Sequence, residues 1–483
     1  MRKQANGFSP FRLVVVTTVL GLIMQASCSH STIVNQRFVL AQIDAMAAAS
    51  SGQAAEATAA AKIKIPVPGD VLIAGGVSGT KSTGKAQFYD PTTKKFSTAG
   101  AMSSSRIAPC GLSLANSPAT QPIFVFGGAQ GSATTKNEVT LTLMPLNSAE
   151  QYAPATGLFS AVTGSMTAPR AGCTATLLSD GTVLIAGGLD ATGAPQTTAE
   201  IFDPVAVTFT ATKGSLNSPR AFQTATLFPT GPLAGEVLLT GGLANNTIGS
   251  SSQGLTLNTA ELYNPATGTF SLVASSMSDF RAFHTATALQ DGTVLVAGGD
   301  SDGFPGFAFG ATATADIFDP ATQTFTATAA PMAETLLLQG ATLLADGTVL
   351  ITGGFDASQI VIFTNGSFGA FFGSVAQGAE LYNPTSKTFS CIGGTVVTKK
   401  TNQTVCASTM KHPHAGHAAV RLTDGTVLVA GGFGGSKDTS NAKTTKVAEI
   451  YDPTTQTFTK VGGMKTSAAL SAVAIVTSPT LAK

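Results

Sequence analysis

Along most of the chain Val, Ile, Leu and Phe return in short runs broken by turn residues, and one such run ends seven times in a Gly-Gly pair. The pairs are Gly75-Gly76, Gly127-Gly128, Gly187-Gly188, Gly241-Gly242, Gly298-Gly299, Gly353-Gly354 and Gly431-Gly432, spaced 52, 60, 54, 57, 55 and 78 residues apart. Self-similarity at such a period marks a repeated supersecondary unit, so the repeat is read before any single element. After each pair an aromatic residue stands two places ahead of a Pro: Tyr89, Tyr152, Phe202, Tyr263, Phe318, Tyr382 and Tyr451 precede Pro91, Pro154, Pro204, Pro265, Pro320, Pro384 and Pro453. A Phe then follows each Pro, at positions 96, 159, 209, 270, 325, 389 and 458.

One unit reads as four short strands. Strand A is typified by residues 285–289 and turns at Asp291-Gly292 into strand B, residues 293–297, because Asp-Gly tolerates the positive φ of a tight hairpin. Strand C carries residues 315–318. Asp319-Pro320 turns the chain again, Pro presetting φ and Asp bonding its own turn, and strand D holds residues 324–326. Four antiparallel strands per roughly 50 residues match one blade of a propeller. The first unit, from Asp70, has no strand A, whereas residues 468–476 form a strand A with nothing after it. Their pairing would close the ring and remove its free edges.

The Gly-Gly, the aromatic-x-Pro turn and the aromatic on strand D resemble the kelch motif, and seven ordered copies cover residues 66–477. The resemblance implies an all-β, seven-bladed kelch-type β-propeller with four antiparallel strands per blade, closed by pairing of the C-terminal strand with the N-terminal blade. The departure is Phe where kelch repeats usually carry Trp; the chain has no Trp.

The N-terminus changes the picture before the propeller begins. Arg2, Lys3 and Arg12 precede an apolar stretch, residues 13–24, too short to span a bilayer comfortably and suited to a signal-peptide core. Gln25-Ala26-Ser27-Cys28 resembles a bacterial lipobox, with Gln25 where an aliphatic residue is usual, so Cys28 is the candidate lipidation site and simple secretion the alternative. The expected organisation is a signal peptide over 1–28, an Ala/Ser-rich tether over 29–64 and the propeller over 65–483, in an exported, outer-membrane-anchored or secreted, monomeric protein. Cys391 and Cys406 bracket a short insertion and are expected to be disulfide-bonded, as export permits; Cys110 and Cys173 are the second candidate pair, with free thiols the alternative. With 27 Lys plus Arg against 26 Asp plus Glu, the chain lacks the basic excess of a nucleic-acid binder.

In each blade the start of strand A and the end of strand B share one face, which also carries the variable B–C and D–A loops, and function usually sits on such loops. In register at the start of strand A stand Arg106, Arg170, Arg220, Arg281, Leu336, His414 and Ala468. In kelch domains that capture acidic peptides Arg lines the channel mouth here, so the resemblance implies a basic crescent; the alternative is that these Arg pair with a carboxylate or cap carbonyls. Three residues on come Cys173, Gln223, His284, Gln339, His417 and Ser471. Clustered His can bind zinc or copper, yet His414 and His417 occupy repeat positions, so no metal and no cofactor are expected. Phe304 and Phe307 in one B–C loop, and Phe371 and Phe372 in the next, are interaction candidates or self-buried loop residues.

These features favour a binding module for a protein or glycan ligand, acidic if the crescent forms. The alternatives are a propeller enzyme of oxidase or carbohydrate-active type, or a structural envelope protein. Galactose-oxidase-like copper oxidases share the propeller, but their chemistry needs Tyr and His ligands with a Tyr–Cys crosslink, and all five Tyr here lie in the aromatic-x-Pro turn on the opposite face. No paired carboxylates converge on the variable face for acid–base work.

Overall fold

Residues 65–112, 122–134, 139–244, 256–301, 310–356, 358–362, 368–372, 374–397, 404–434 and 443–476 are described by a computed structural model. Among them seven four-stranded antiparallel sheets follow one another as blades, each running A-B-C-D from axis to rim. Blade 4 is typical, with strands Thr224–Leu227, Val237–Thr240, Ala260–Asn264 and Thr269–Leu272. Strand A is innermost, and consecutive A strands touch around the axis, where space is least. That crowding explains their small side chains, Thr-Ala-Thr-Leu in blades 3 and 4 and Thr-Ala-Thr-Ala in blade 5. The B strands, such as Val-Leu-Ile-Ala and Val-Leu-Leu-Thr, are buried at every position because neighbouring blades cover both faces. A strand covered on both sides reads as a continuous apolar run, which is what precedes each Gly-Gly.

Blade 1 is assembled from both chain ends. Ala472–Ile475 pairs antiparallel with Val71–Ala74, matching Val71 to Ile475 and Ala74 to Ala472. Blade 7 packs onto blade 1 through Leu428 and Ile450 against Val71, Ile73 and Tyr89. The Gly-Gly pair is the joint between blades. Its second N–H donates to the next blade's carbonyl at the start of strand A, as in Gly188 to Arg220 (2.7 Å) and Gly242 to Arg281 (2.7 Å). The first Gly lies at positive φ, 59° at Gly241, and a Cβ there would collide with that same carbonyl. Only Gly serves both demands.

The rim side of each joint is aromatic. Tyr89, Tyr152, Tyr263, Tyr382 and Tyr451 are buried and pack on the Phe of their own strand D at 4.8–5.0 Å. Burial, with the charge of Asp424, Asp291 and Asp346 respectively, pushes Tyr89, Tyr382 and Tyr451 up to about 12. Each of these Asp belongs to the A–B turn of the preceding blade. Where the preceding A–B connection has no Asp-Gly, before blades 3 and 5, the residue is Phe202 or Phe318.

Two additions decorate the scaffold. The B–C connections of blades 1, 2 and 6 join in one six-stranded sheet, in which Phe368–Phe372 pairs with both Ser358–Ile362 and Val139–Pro145. Past strand D of blade 6, a hairpin of Thr395–Val397 and Thr404–Cys406 is tied by the Cys391–Cys406 disulfide. Cys110 and Cys173 form a second disulfide, between the inner edges of blades 2 and 3.

Candidate functional site

The channel mouth is built from one short step per blade, two and three residues past the position that holds Arg in blades 2 to 5. The first residues of the step are Ala108, Gly172, Phe222, Phe283, Leu338, Gly416 and Leu470, all at positive φ between 45° and 63°. Each N–H donates to the same residue of the preceding blade: Gly172 to Ala108, Phe222 to Gly172, Phe283 to Phe222, Leu338 to Phe283, Gly416 to Leu338, Leu470 to Gly416, and Ala108 back to Leu470. These bonds, 2.7–3.1 Å, close a seven-membered ring around the axis. Holding five non-glycine residues in left-handed geometry carries a conformational cost, which the ring and the packed A strands outweigh.

The collar and the next residue of each step line a cavity of about 280 Å³. Its walls are uneven. Phe222 and Phe283 stack at 4.3 Å on one side, while Gly172 and Gly416 bring no side chain. Below them Gln223, His284, Gln339 and His417 come from four consecutive blades, facing Ser471, Pro109 and Cys173.

These four polar residues are wedges, and each is matched to the blade before it. Gln223 Nε2 donates to Ala186 O and Gln339 Nε2 to Ala297 O, both at 2.8 Å. His284 Nε2 lies 3.0 Å from the hydroxyls of Thr224 and Thr240, and His417 Nε2 lies 2.9 Å from that of Thr352. A preceding B strand that ends in Ala thus receives Gln, and one that ends in Thr receives His. Burial, then the nearby Arg281 and Arg220, lowers His284 to about 3, and burial with His414 lowers His417 to about 3. Both imidazoles are neutral. Gln223, His284, Gln339 and His417 thus set amide and imidazole groups in the cavity wall beside an aromatic pair, while Gln223 Oε1, Gln339 Oε1, His284 Nδ1 and His417 Nδ1 are themselves buried without a protein partner.

The expected basic crescent is not there. Arg106, Arg170, Arg220 and Arg281 are fully buried and turn into their own blades, pairing with Glu150, Glu200, Glu261 and Asp316 at 2.7–3.1 Å. Each Nη1 also donates to a Gly-Gly carbonyl, at Gly127, Gly187, Gly241 and Gly298. Burial lowers the pKa of Arg106, Arg170 and Arg220, opposed by the attached carboxylates. None of the four lines the cavity. His414 fills the same slot in blade 7, with Nδ1 2.7 Å from Gly431 O and Nε2 3.5 Å from Glu449 Oε1, so it too is part of the blade rather than the mouth. Phe304 and Phe307 lie outside the described residues, as does Cys28. Phe371 and Phe372 lie on a strand of the three-blade sheet. The collar Phe222 and Phe283 and the wedges Gln223 and Gln339 are not among the site residues that the sequence alone suggests; the signal for them is the repeat position two and three places past each Arg.

A Kelch motif matches residues 414–465. No curated protein matches the chain. Among solved structures the chain is similar to a fungal alcohol oxidase of the AA5 family in complex with copper, with 16% identity, a TM-score of 0.53, and coverage of 82% of this chain and 75% of the other. At that identity the likeness concerns the fold. A copper centre of Tyr, His and a Tyr–Cys crosslink does not fit the described side chains. All five Tyr are locked in blade cores, His284 and His417 spend Nε2 on Thr hydroxyls, and Cys110, Cys173, Cys391 and Cys406 are in disulfides. By architecture the chain is an all-β propeller, and a Kelch motif matches residues 414–465, its seventh blade.

Proposed function

We propose that the protein is an exported binding module that takes a neutral, hydroxyl-rich ligand, a glycan or the polar surface of a protein partner, at the axial mouth. Kelch propellers typically act by binding, generally to proteins. The observation that carries the reading is the juxtaposition of the Phe222–Phe283 stack with Gln223, His284, Gln339 and His417 in the wall of one open cavity. Aromatic faces receive apolar C–H surfaces, and amide and imidazole atoms receive hydroxyls; few such groups in a concave site fix orientation. The arginines' ion pairs remove the reason to expect an acidic ligand. Residues 13–24, Cys28 and two disulfides within the propeller support export, with attachment through a lipid at Cys28.

Glycan and peptide arrays probed with the mature chain test this. Phe283→Ala and Gln339→Ala are expected to weaken a true ligand about five- to tenfold each, near 1 kcal/mol per lost contact. Binding is expected to change little between low and high salt, because among the described residues no Lys, Arg, Asp or Glu lines the mouth. Array hits that are all anionic and lost at high salt, or a double variant that binds every hit like the parent, would overturn the proposal.

A further inference from the structure

Blade 6 departs from the other six in one slot, and the departure gathers metal-type ligands. Ahead of strand A, blades 2 to 5 carry an Arg, blade 7 carries His414, and each faces an acid on strand C. Blade 1 carries neither charge, having Ala468 and Gln87. Blade 6 keeps the acid, Glu380, 2% exposed, but its Arg position is Leu336. Among the described residues no cation pairs with Glu380; its carboxylate accepts only backbone N–H groups, Ala333 at 3.0 and 3.1 Å among them.

What stands beside it is sulfur. Cys391 is its cross-strand neighbour, and one carboxylate oxygen and both Sγ atoms of Cys391 and Cys406 lie within 4.8 Å of one another. Glu334 joins the group, its Oε1 accepting Cys406 N at 3.0 Å. Burial first, and then the charge of Glu334, pushes Glu380 up to about 7, the response of an acid lacking the counter-charge its equivalents have.

We propose that reduction of the Cys391–Cys406 disulfide converts this cluster into a site for a thiophilic divalent cation, zinc or cadmium, held by both sulfurs and the Glu380 carboxylate. Thiolate and carboxylate are established ligands for such ions, and three protein ligands leave a position for water or Glu334. The cation occupies the electrostatic role that Arg fills in blades 2 to 5. The balance is simple. With a phosphine as reductant, the S–S bond breaks, the phosphine takes oxygen from water to become its oxide, and the water's two protons go to the two sulfurs. The metal then displaces the thiol protons, so binding releases acid.

The test titrates the full chain with cadmium, oxidised and after anaerobic phosphine reduction, reading thiolate-to-cadmium charge-transfer absorption and proton release. One cadmium per reduced chain is expected, with none on the oxidised chain at the same concentration. Because Cys110–Cys173 also reduces, two variants separate the sites. Cys110→Ala/Cys173→Ala keeps the cadmium signal, and Cys391→Ser/Cys406→Ser loses it. Glu380→Gln retains the sulfur absorption at saturation but weakens binding by at least about tenfold, the lower end of what even an outer-shell partner costs. Cadmium also raises the melting temperature of the reduced parent and not of the double Ser variant. Equal binding by the parent and the double Ser variant, or by the parent and Glu380→Gln, overturns the proposal, as does a reduced chain whose melting cadmium leaves unchanged.

Discussion

Blades 2 to 5 and blades 6, 7 and 1 solve the same packing problem with different residues. In the first group a buried Arg ties strand C to the end of strand B and meets an acid; in the second the slot holds Leu336 with Glu380, His414 with Glu449, and Ala468 with Gln87. The slot does not always change as a pair, since blade 6 loses the cation and keeps the acid. Blade 1 loses both charges together, and Gln87 keeps the backbone role, its Oε1 accepting Lys465 N at 2.8 Å as Glu449 accepts Lys411 N at 2.8 Å. A lone buried charge is costly whereas a matched pair, or none, is tolerated. The Arg positions therefore report on blade integrity rather than on the ligand.

The largest effect follows from breaking one pair. Arg220→Ala leaves Glu261, fully buried, with no counter-ion, and takes the Nη1 donor from the carbonyls of Gly241 and Thr259, of which Thr259 O keeps the Gly241 N–H. A loss of about 3–5 kcal/mol is expected. Arg220→Ala with Glu261→Gln, which copies blade 1, is expected to recover a good part of it. Denaturant melts of the three proteins check this, and a single variant no less stable than the double would show that the slot is not paired.

Blade 6 supplies the next effect, in pH. Glu380 sits near 7 in the folded protein against an ordinary 4.5. A carboxyl raised on folding contributes stability that is intact below about 4.5 and lost as pH climbs through about 7, opposite to the usual salt-bridged acid. The parent is expected to lose about 2–3 kcal/mol from this group between pH 5 and pH 8. Glu380→Gln, which places in blade 6 the residue type that blade 1 has at Gln87, should flatten that part of the profile. Identical pH slopes for parent and variant would place the charge elsewhere.

The same contrast explains what is legible in the sequence. Blade boundaries are readable because each joint demands a residue type: Gly where a Cβ would strike the next blade, Asp-Gly and Asp-Pro where the chain reverses. The arginines mislead because a repeat position fixes where a residue sits along a strand, not which way a long side chain turns. The cue to their true partners is in the chain: Glu150, Glu200, Glu261 and Asp316 recur two places before the aromatic of the x-Pro turn, in the copies that carry Arg. The mouth itself is less legible, since its collar is made of backbone bonds and accepts Ala, Gly, Phe or Leu alike. The sheet shared by blades 1, 2 and 6 joins loops far apart in sequence, a pairing that no local pattern encodes.

The smallest effect tests the wedge rule, which separates blades within each group. Thr240 ends a B strand and meets His284; Ala186 ends another and meets Gln223. Thr240→Ala removes one of the two hydroxyls at His284 Nε2, and Thr224 still lies 3.0 Å away, so the loss is expected to be only about 1 kcal/mol. Thr240→Ala with His284→Gln rebuilds the Ala–Gln joint, because Gln can donate to the Thr240 carbonyl position as Gln223 does to Ala186 O. If the two blades are truly matched, the double variant is more stable than the sum of the singles by about 0.5–1 kcal/mol, the coupling expected of residues in contact. His284 also lines the mouth, so the same exchange swaps an imidazole for an amide side chain there. A ligand whose affinity follows the swap while stability is restored would locate its contact at blade 5, whereas an additive double variant would show that the Thr–His and Ala–Gln pairings are independent choices.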